Sequence, residues 1–184
     1  MPKLKIEKEI INGNIPINKK LLNKYKNFED IFSNIKEEKY LKIKKRKIPN
    51  VKDLSNTDLY KFACKIFKNY HNINYFENNK NIIHISNKDI KESINKIFYN
   101  PNQKELINEH ILIFSYLGKI IKTSTLISQS LENKNREHNN LWNYYINWLK
   151  IENDYYLLEF DVVSRNNGEN HYRLQRLIKS KYFS

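Results

Sequence analysis

The sequence predicts an α+β fold: an N-terminal helical region followed by a small four-stranded antiparallel sheet with helices packed on one face. Two patterns carry this reading. Up to about Leu117 apolar residues recur mostly at three-to-four spacing, and from Trp142 onward they alternate. The first spacing lines one side of a helix, the second one face of a strand.

Residues 18–39 read as a helix with Leu21, Leu22, Tyr25, Phe28, Phe32 and Ile35 on one side. Pro49 and Asn50 break the chain. The run Asp53-Leu54-Ser55-Asn56-Thr57-Asp58 then offers N-cap chemistry for a helix over about 57–70. That helix buries Leu59, Phe62, Ala63, Ile66 and Phe67, with Cys64 beside them as a small hydrophobe. The polar stretch 78–81 marks a boundary between a basic, mainly helical region, 1–80, and an α+β region, 81–184. Residues 81–86 form a short strand, and Ser86 or Asn87 caps a helix over about 88–98 with Ile90, Ile94 and Ile97 inward. Pro101 ends that element, residues 103–117 form the next helix, and Gly118 suits its C-terminal stop. The β-branched run 120–127 reads as a strand and the polar segment 130–140 as a loop.

In 142–151, Trp142, Tyr144, Ile146 and Trp148 share a side. In 155–164, Tyr156, Leu158, Phe160 and Val162 point inward and Glu159 and Asp161 outward; in 171–178, Tyr172 and Leu174 point inward and Arg173 and Gln175 outward. Parity selects the turn between the last two strands, because opposed residues of an antiparallel pair share a face. A two-residue turn would oppose Val162 to Arg173 and mix the faces. A three-residue loop, Asn166-Asn167-Gly168, opposes Val162 to Tyr172, Phe160 to Leu174 and Asp161 to Arg173, with Gly168 at the left-handed position.

The 184 residues carry 33 Lys+Arg against 20 Asp+Glu, a net charge of +13 that points to an acidic partner. Lys, Ile and Asn have A/T-rich codons, so the placement of the charge says more than its total. Residues 1–50 hold +8 of it, and Lys42, Lys44, Lys45, Arg46 and Lys47 are nearly contiguous. Such a run is either a solvated face or a phosphate-tracking strip, with Tyr40 placed to stack on a base. Three glycines, Gly13, Gly118 and Gly168, leave no room for a Walker loop or dinucleotide fingerprint. A lone Cys64 excludes an internal disulfide, and no apolar run approaches the roughly 20 residues of a membrane span. The first residues have no signal-peptide pattern, so the expected site of action is cytoplasmic.

The histidines are His71, His84, His110, His138 and His171, and no HxH, HxxxH or HExxH pairing occurs among them, so neither a metal nor another cofactor is expected. His84 reads as structural, His110 as a surface helix residue, His138 as part of a loop, and His171 as a residue of the sheet's polar face or hairpin tip. Metal-independent RNA cleavage needs a base, an acid and cations for the phosphorane charge. Lys91, Ser93, Lys122, Thr123, Ser124, His138, Arg165, His171, Tyr172, Arg173 and Arg176 offer those groups. No G-x-S-x-G elbow exists, which weakens a serine-hydrolase reading.

The runs I-S-N-K-D-I-K-E-S-I-N-K (85–96), L-G-K-I-I-K-T-S (117–124), N-D-Y-Y-L-L-E-F-D-V (153–162) and H-Y-R-L-Q-R-L (171–177) resemble the barnase–EndoU–colicin–RelE-like nuclease domains of phage polyvalent proteins and polymorphic toxins. The resemblance covers residues 81–179. It implies N-terminal helices with a four-stranded antiparallel sheet and, in active members, metal-independent ribonuclease activity. The family's helix often reads I-K-H-S; Ile90, Lys91 and Ser93 match, and Glu92 stands where the histidine would be.

Two expectations follow. The first is a toxin- or phage-associated ribonuclease acting by 2′-hydroxyl transesterification, with Lys91, Glu92, Ser93, His138, Arg165, His171 and Arg173 at the scissile phosphate. Lys42, Lys44, Lys45, Arg46, Lys47, Lys122 and Arg176 would hold the RNA, and a cognate immunity or target protein would be a further partner. The second is a non-catalytic inhibitor of a host nucleic-acid machine such as an RNA-guided nuclease, docking through residues 42–47 with Trp142 and Trp148.

Overall fold

Alternation along the last third of the chain produces three long strands, β5 (Asn140–Ile151), β6 (Asp154–Ser164) and β7 (Asn170–Lys179). The structure, a computed structural model, describes Phe32 and residues 35–45, 48–68, 72–75, 81–132, 140–165 and 169–181. Earlier strands are β1 (Leu41–Ile43), β2 (Asn72–Tyr75), β3 (Asn81–His84) and β4 (Thr125–Glu132). Among the described residues five α-helices with defined bounds precede β4: α1 (Asn56–Phe67), α2 (Asn87–Phe98), α3 (Pro101–Lys104), α4 (Ile107–Phe114) and α5 (Leu117–Lys122).

The sheet is larger than four strands and is not purely antiparallel. Seven strands run in the order β1-β5-β6-β7-β3-β2, and β4 pairs with β5 beside β1. β1 lies parallel to the end of β5, and β3 lies parallel to the start of β7. The whole curls into a half-barrel. Part of the difference arises from β1 and β2, short strands inside the region read as helical, and part from β3, which joins the sheet parallel to β7. Three or four residues are too few to show a periodicity of their own.

Two further elements differ from expectation. The segment 103–117 breaks into α3, α4 and the start of α5, so Gly118 lies inside a helix. The run 120–127 is half helix: Ile120 and Ile121 are buried in α5, and β4 starts at Thr125. α5 has only six residues, with Leu117, Ile120 and Ile121 buried and Lys119 and Lys122 exposed, so its stripe is too short to outweigh the β-branched pair Ile120-Ile121, which reads as the start of a strand. Asn147 of β5 supplies the stop for α5, its Nδ2 donating to the Ile120 carbonyl at 2.7 Å, to Thr123 Oγ1 at 2.9 Å and to Ser124 Oγ at 3.1 Å.

The hairpin register is as parity requires, with Val162 opposite Tyr172, Asp161 opposite Arg173 and Phe160 opposite Leu174. The loop residues 166–168 lie outside the described residues, as do most of 18–39 and the segment 133–139.

Both faces of the sheet are covered. On one, Tyr156, Leu158, Phe160 and Val162 of β6 meet helix residues such as Leu59, Ile94, Ile111, Phe114 and Ile121 in the main core. On the other, Tyr144, Ile146 and Leu157 pack under Phe32, Ile35 and Tyr40 in a smaller cluster. Among the described residues no helix is long and apolar enough to cross a membrane.

Candidate active site

The two-residue turn Glu152–Asn153 joins β5 to β6 with Ile151 opposite Asp154, and Glu152 takes the positive φ of 55° that so tight a turn demands. This register puts Trp142, Tyr144, Ile146 and Trp148 on the same face as Val163, Asp161, Glu159 and Leu157. β7 adds His171 opposite Val163, Arg173 opposite Asp161 and Arg176 opposite Glu159, with a bulge between the last two pairs. The face is therefore split along its length. One half is apolar and roofed by Phe32, Ile35 and Tyr40; the other carries acids, arginines and a histidine.

The polar half is organised by α2, which packs along β7 past the short β3 contact. Asp89 and Glu92 are three apart on the helix and share a side. His171 and Arg173 are two apart on the strand and share a face. The two spacings meet: His171 Nδ1 lies 2.9 Å from Asp89 Oδ2, and Arg173 Nη1 donates to the Glu92 carboxylate.

Asp89 is fixed twice over. It is the third residue of the α2 capping box, and its Oδ2 also accepts from the Ser86 amide at 2.8 Å and from Ser86 Oγ at 2.7 Å. The other ring nitrogen of His171, Nε2, lies 3.2 Å from Glu169 Oε2 at the rim. Both ring nitrogens of His171 therefore face carboxylate oxygens, which fixes the orientation of the ring.

Next along the face, the Arg176 guanidinium donates to Glu159 through Nε and, at 3.2 Å, through Nη2. That bond holds the Arg176 guanidinium above its ordinary value. Glu159 and Asp161 are 2% and 4% exposed, so the expectation that they point to solvent is overturned: β6 is buried on both sides. Burial, and secondarily the Glu159 carboxylate, pushes the Tyr144 phenol well above its usual range. The Arg173 guanidinium sits 5.8 Å from the centre of the Trp142 ring, and the His84 ring lies 6.2 Å from that of His171.

Of the residues expected at the site, Glu92, His171 and Arg173 come together, and Arg176 joins them. Ser93 is buried and Lys91 is exposed on α2. Arg165 precedes the hairpin loop, its amide donating to the Glu169 carbonyl at 2.9 Å. His138, Arg46 and Lys47 lie outside the described residues. Lys122 is exposed at the end of α5. Lys42, Lys44 and Lys45 are exposed on or just after β1, which pairs with Leu149–Ile151. Tyr144, in the Arg173 row, is five or more residues away along β5, roughly 17 Å at strand rise. Lys42, Lys44 and Lys45 and the polar face are therefore separate surfaces.

His110 is not on the surface. It is fully buried, and Nε2 lies 2.9 Å from Gln103 Oε1. The Gln103 amide in turn bonds both peptide groups of Leu177, accepting from its N–H at 2.7 Å and donating to its carbonyl at 3.0 Å.

Asp89, Glu159, Asp161 and Tyr144 were not among the expected site residues. The signal for three of them was available in the Glu152–Asn153 turn, whose parity places the aromatic side of β5 on the acidic side of β6. No family model, no curated protein and no solved structure matches this chain.

Proposed function

We propose that this chain is an RNA-targeting protein that cleaves RNA without a metal, by transesterification at a 2′-hydroxyl. The observation that supports this most is the matched pairing of Asp89 and Glu92 on α2 with His171 and Arg173 on β7. It sets an oriented imidazole, a carboxylate and a guanidinium on one face, with Arg176 as the next cation along the strand. Glu92 takes the proton of the 2′-hydroxyl, the O2′–P bond forms as the P–O5′ bond breaks, and His171, as the general acid, gives its Nε2 proton to the departing O5′. Arg173 and Arg176 meet the charge that builds on the phosphorane oxygens. In the free protein both guanidiniums are held by carboxylates, Glu92 and Glu159, so a bound phosphate competes for donors that are already placed.

The test is digestion of mixed tRNA and of defined oligoribonucleotides by the purified full chain in excess EDTA. Products ending in 2′,3′-cyclic phosphate are expected, with a loss of 10²–10⁴-fold in His171→Ala and in Glu92→Gln. Melting curves of both variants report whether the fold survives. Intact RNA with every substrate overturns the reading. If instead a nucleic-acid machine copurifies with the uncleaving protein, the inhibitor reading takes its place. The exposed Lys42, Lys44 and Lys45, remote from the arginine–carboxylate pairs, favour that second reading.

A further inference from the structure

Away from the polar face, a cavity of about 170 Å³ opens where the chain leaving β1, the β5–β6 turn and α4 meet. Its apolar surface comes from Ile48, Leu112, Ile151 and the ring of Tyr156, and its polar wall includes Glu109, Glu152 and Asp154. A volume of this order accommodates a ligand about the size of benzene.

The three carboxylates are not equivalent. Glu152 accepts from Lys45 Nζ at 3.2 Å. Asp154 accepts from Lys179 Nζ at 2.8 Å and from the Tyr156 hydroxyl at 3.4 Å. Glu109 is half-buried, and its Oε2 is withdrawn from solvent with no hydrogen-bond partner. The neighbouring Asn108 amide is turned to other partners, its Oδ1 accepting from the Val51 amide and its Nδ2 donating to Asn50 Oδ1. Three acids against Lys45 and Lys179 leave one negative charge in excess, in a chain whose net charge is +13.

We propose that this cavity binds an organic monocation, an alkylammonium or guanidinium group on a short apolar stem. The cationic head pairs with Glu109, and the stem lies against Ile48, Leu112, Ile151 and Tyr156. The sign of the wall turns away phosphate and nucleotide ligands. Calcium and magnesium ask for about six or more oxygen ligands, which a wall built largely of isoleucine, leucine and tyrosine does not offer, and among the described residues no group of three or more His, Cys, Asp or Glu could hold a metal ion. One excess charge matches a monocation. The same head group could belong to a free small amine or to an arginine or lysine side chain of a partner.

The experiment is a titration of the full chain, followed by NMR shifts of the Ile48 and Ile151 methyl groups. The probes are n-butylammonium, methylguanidinium and a blocked peptide with a single arginine, against sodium chloride at equal ionic strength. Saturable shifts are expected with the organic cations and not with sodium. Binding should weaken at least tenfold in Glu109→Gln. In Leu112→Phe, which fills the cavity without touching its charge, it should also be lost. Thermal melts of both variants show whether the fold is intact, and Glu109→Gln is expected to melt no lower than the parent. A peptide that binds tenfold tighter than methylguanidinium assigns the site to a partner's side chain, and equal binding assigns it to a free amine. Absence of saturation with all three probes, or unchanged affinity in Glu109→Gln, overturns the proposal.

Discussion

His110 shows how a single polar side chain can be stored in an apolar interior. Gln103 Oε1 accepts from both His110 Nε2 and the Leu177 amide, which fixes the proton on Nε2 and leaves Nδ1 bare, and Nδ1 is buried without a partner. Burial lowers the His110 pKa to about 3 from 6.5. In the unfolded chain the ring takes a proton below about 6.5; in the folded chain it does so only near 3. The unfolded state therefore binds more protons in that window, and stability falls as pH drops through it, by up to about 1.4 kcal/mol per pH unit. Urea melts at pH 7 and pH 5 should show this as a loss of about 2 kcal/mol that is absent in His110→Gln. Equal losses in the two proteins would place the ring's proton elsewhere. Sequence pattern misplaced this residue because six of the eight residues of α4, His110 among them, are buried, so its neighbours Glu109 and Ile111 do not mark a water-facing side.

At the scale of elements, the start of α2 and the orientation of His171 form one hydrogen-bonded unit. Ser86 Oγ caps the helix by accepting from the Asp89 amide at 3.2 Å, and Asp89 Oδ2 answers to the Ser86 amide, Ser86 Oγ and His171 together. Ser86→Ala removes a cap and should cost about 1 kcal/mol. Asp89→Ala removes the return bond and strands the buried imidazole Nδ1, and should cost about 3 kcal/mol. Because both substitutions act on the same oxygen, the double variant should cost measurably less than their sum in denaturant melts. Strict additivity would mean that cap and histidine are independent. This unit was half legible: Ser86 as a cap and His171 on the polar side of the hairpin follow from residue type and parity. Asp89 meets His171 only because β3 lies parallel to β7, and such a long-range contact leaves no periodic trace. The β6–β7 register, by contrast, is a local consequence of alternation and loop length, which is why it could be worked out in advance.

For the molecule as a whole, the exposed lysines of the basic run that lie among the described residues do not gather on the face that carries the candidate chemistry. There each guanidinium is matched by a carboxylate, while Lys42, Lys44 and Lys45 stand exposed beside β1. The N-terminal residues are nevertheless structural as well as charged. Ile43, Val51, Leu59, Ala63 and Phe67 are buried in the main core, and Phe32, Ile35 and Tyr40 roof the apolar half of the opposite sheet face. β1 closes part of the β5 edge, and β2 completes the far edge beyond β3. Each large apolar side chain in that set is worth roughly 1.5–3 kcal/mol when buried, against a total stability of about 5–15 kcal/mol for a domain. A fragment comprising residues 81–184 should therefore lose cooperative unfolding, with a flattened near-ultraviolet spectrum and poor amide dispersion, although it retains β5, β6, β7 and α2. Its expected failure follows from exposed core and two unpaired strand edges, so it should also aggregate at concentrations where the full chain does not. A sharp melt and a dispersed spectrum from that fragment would show instead that the first 80 residues are an appendage to a self-sufficient sheet.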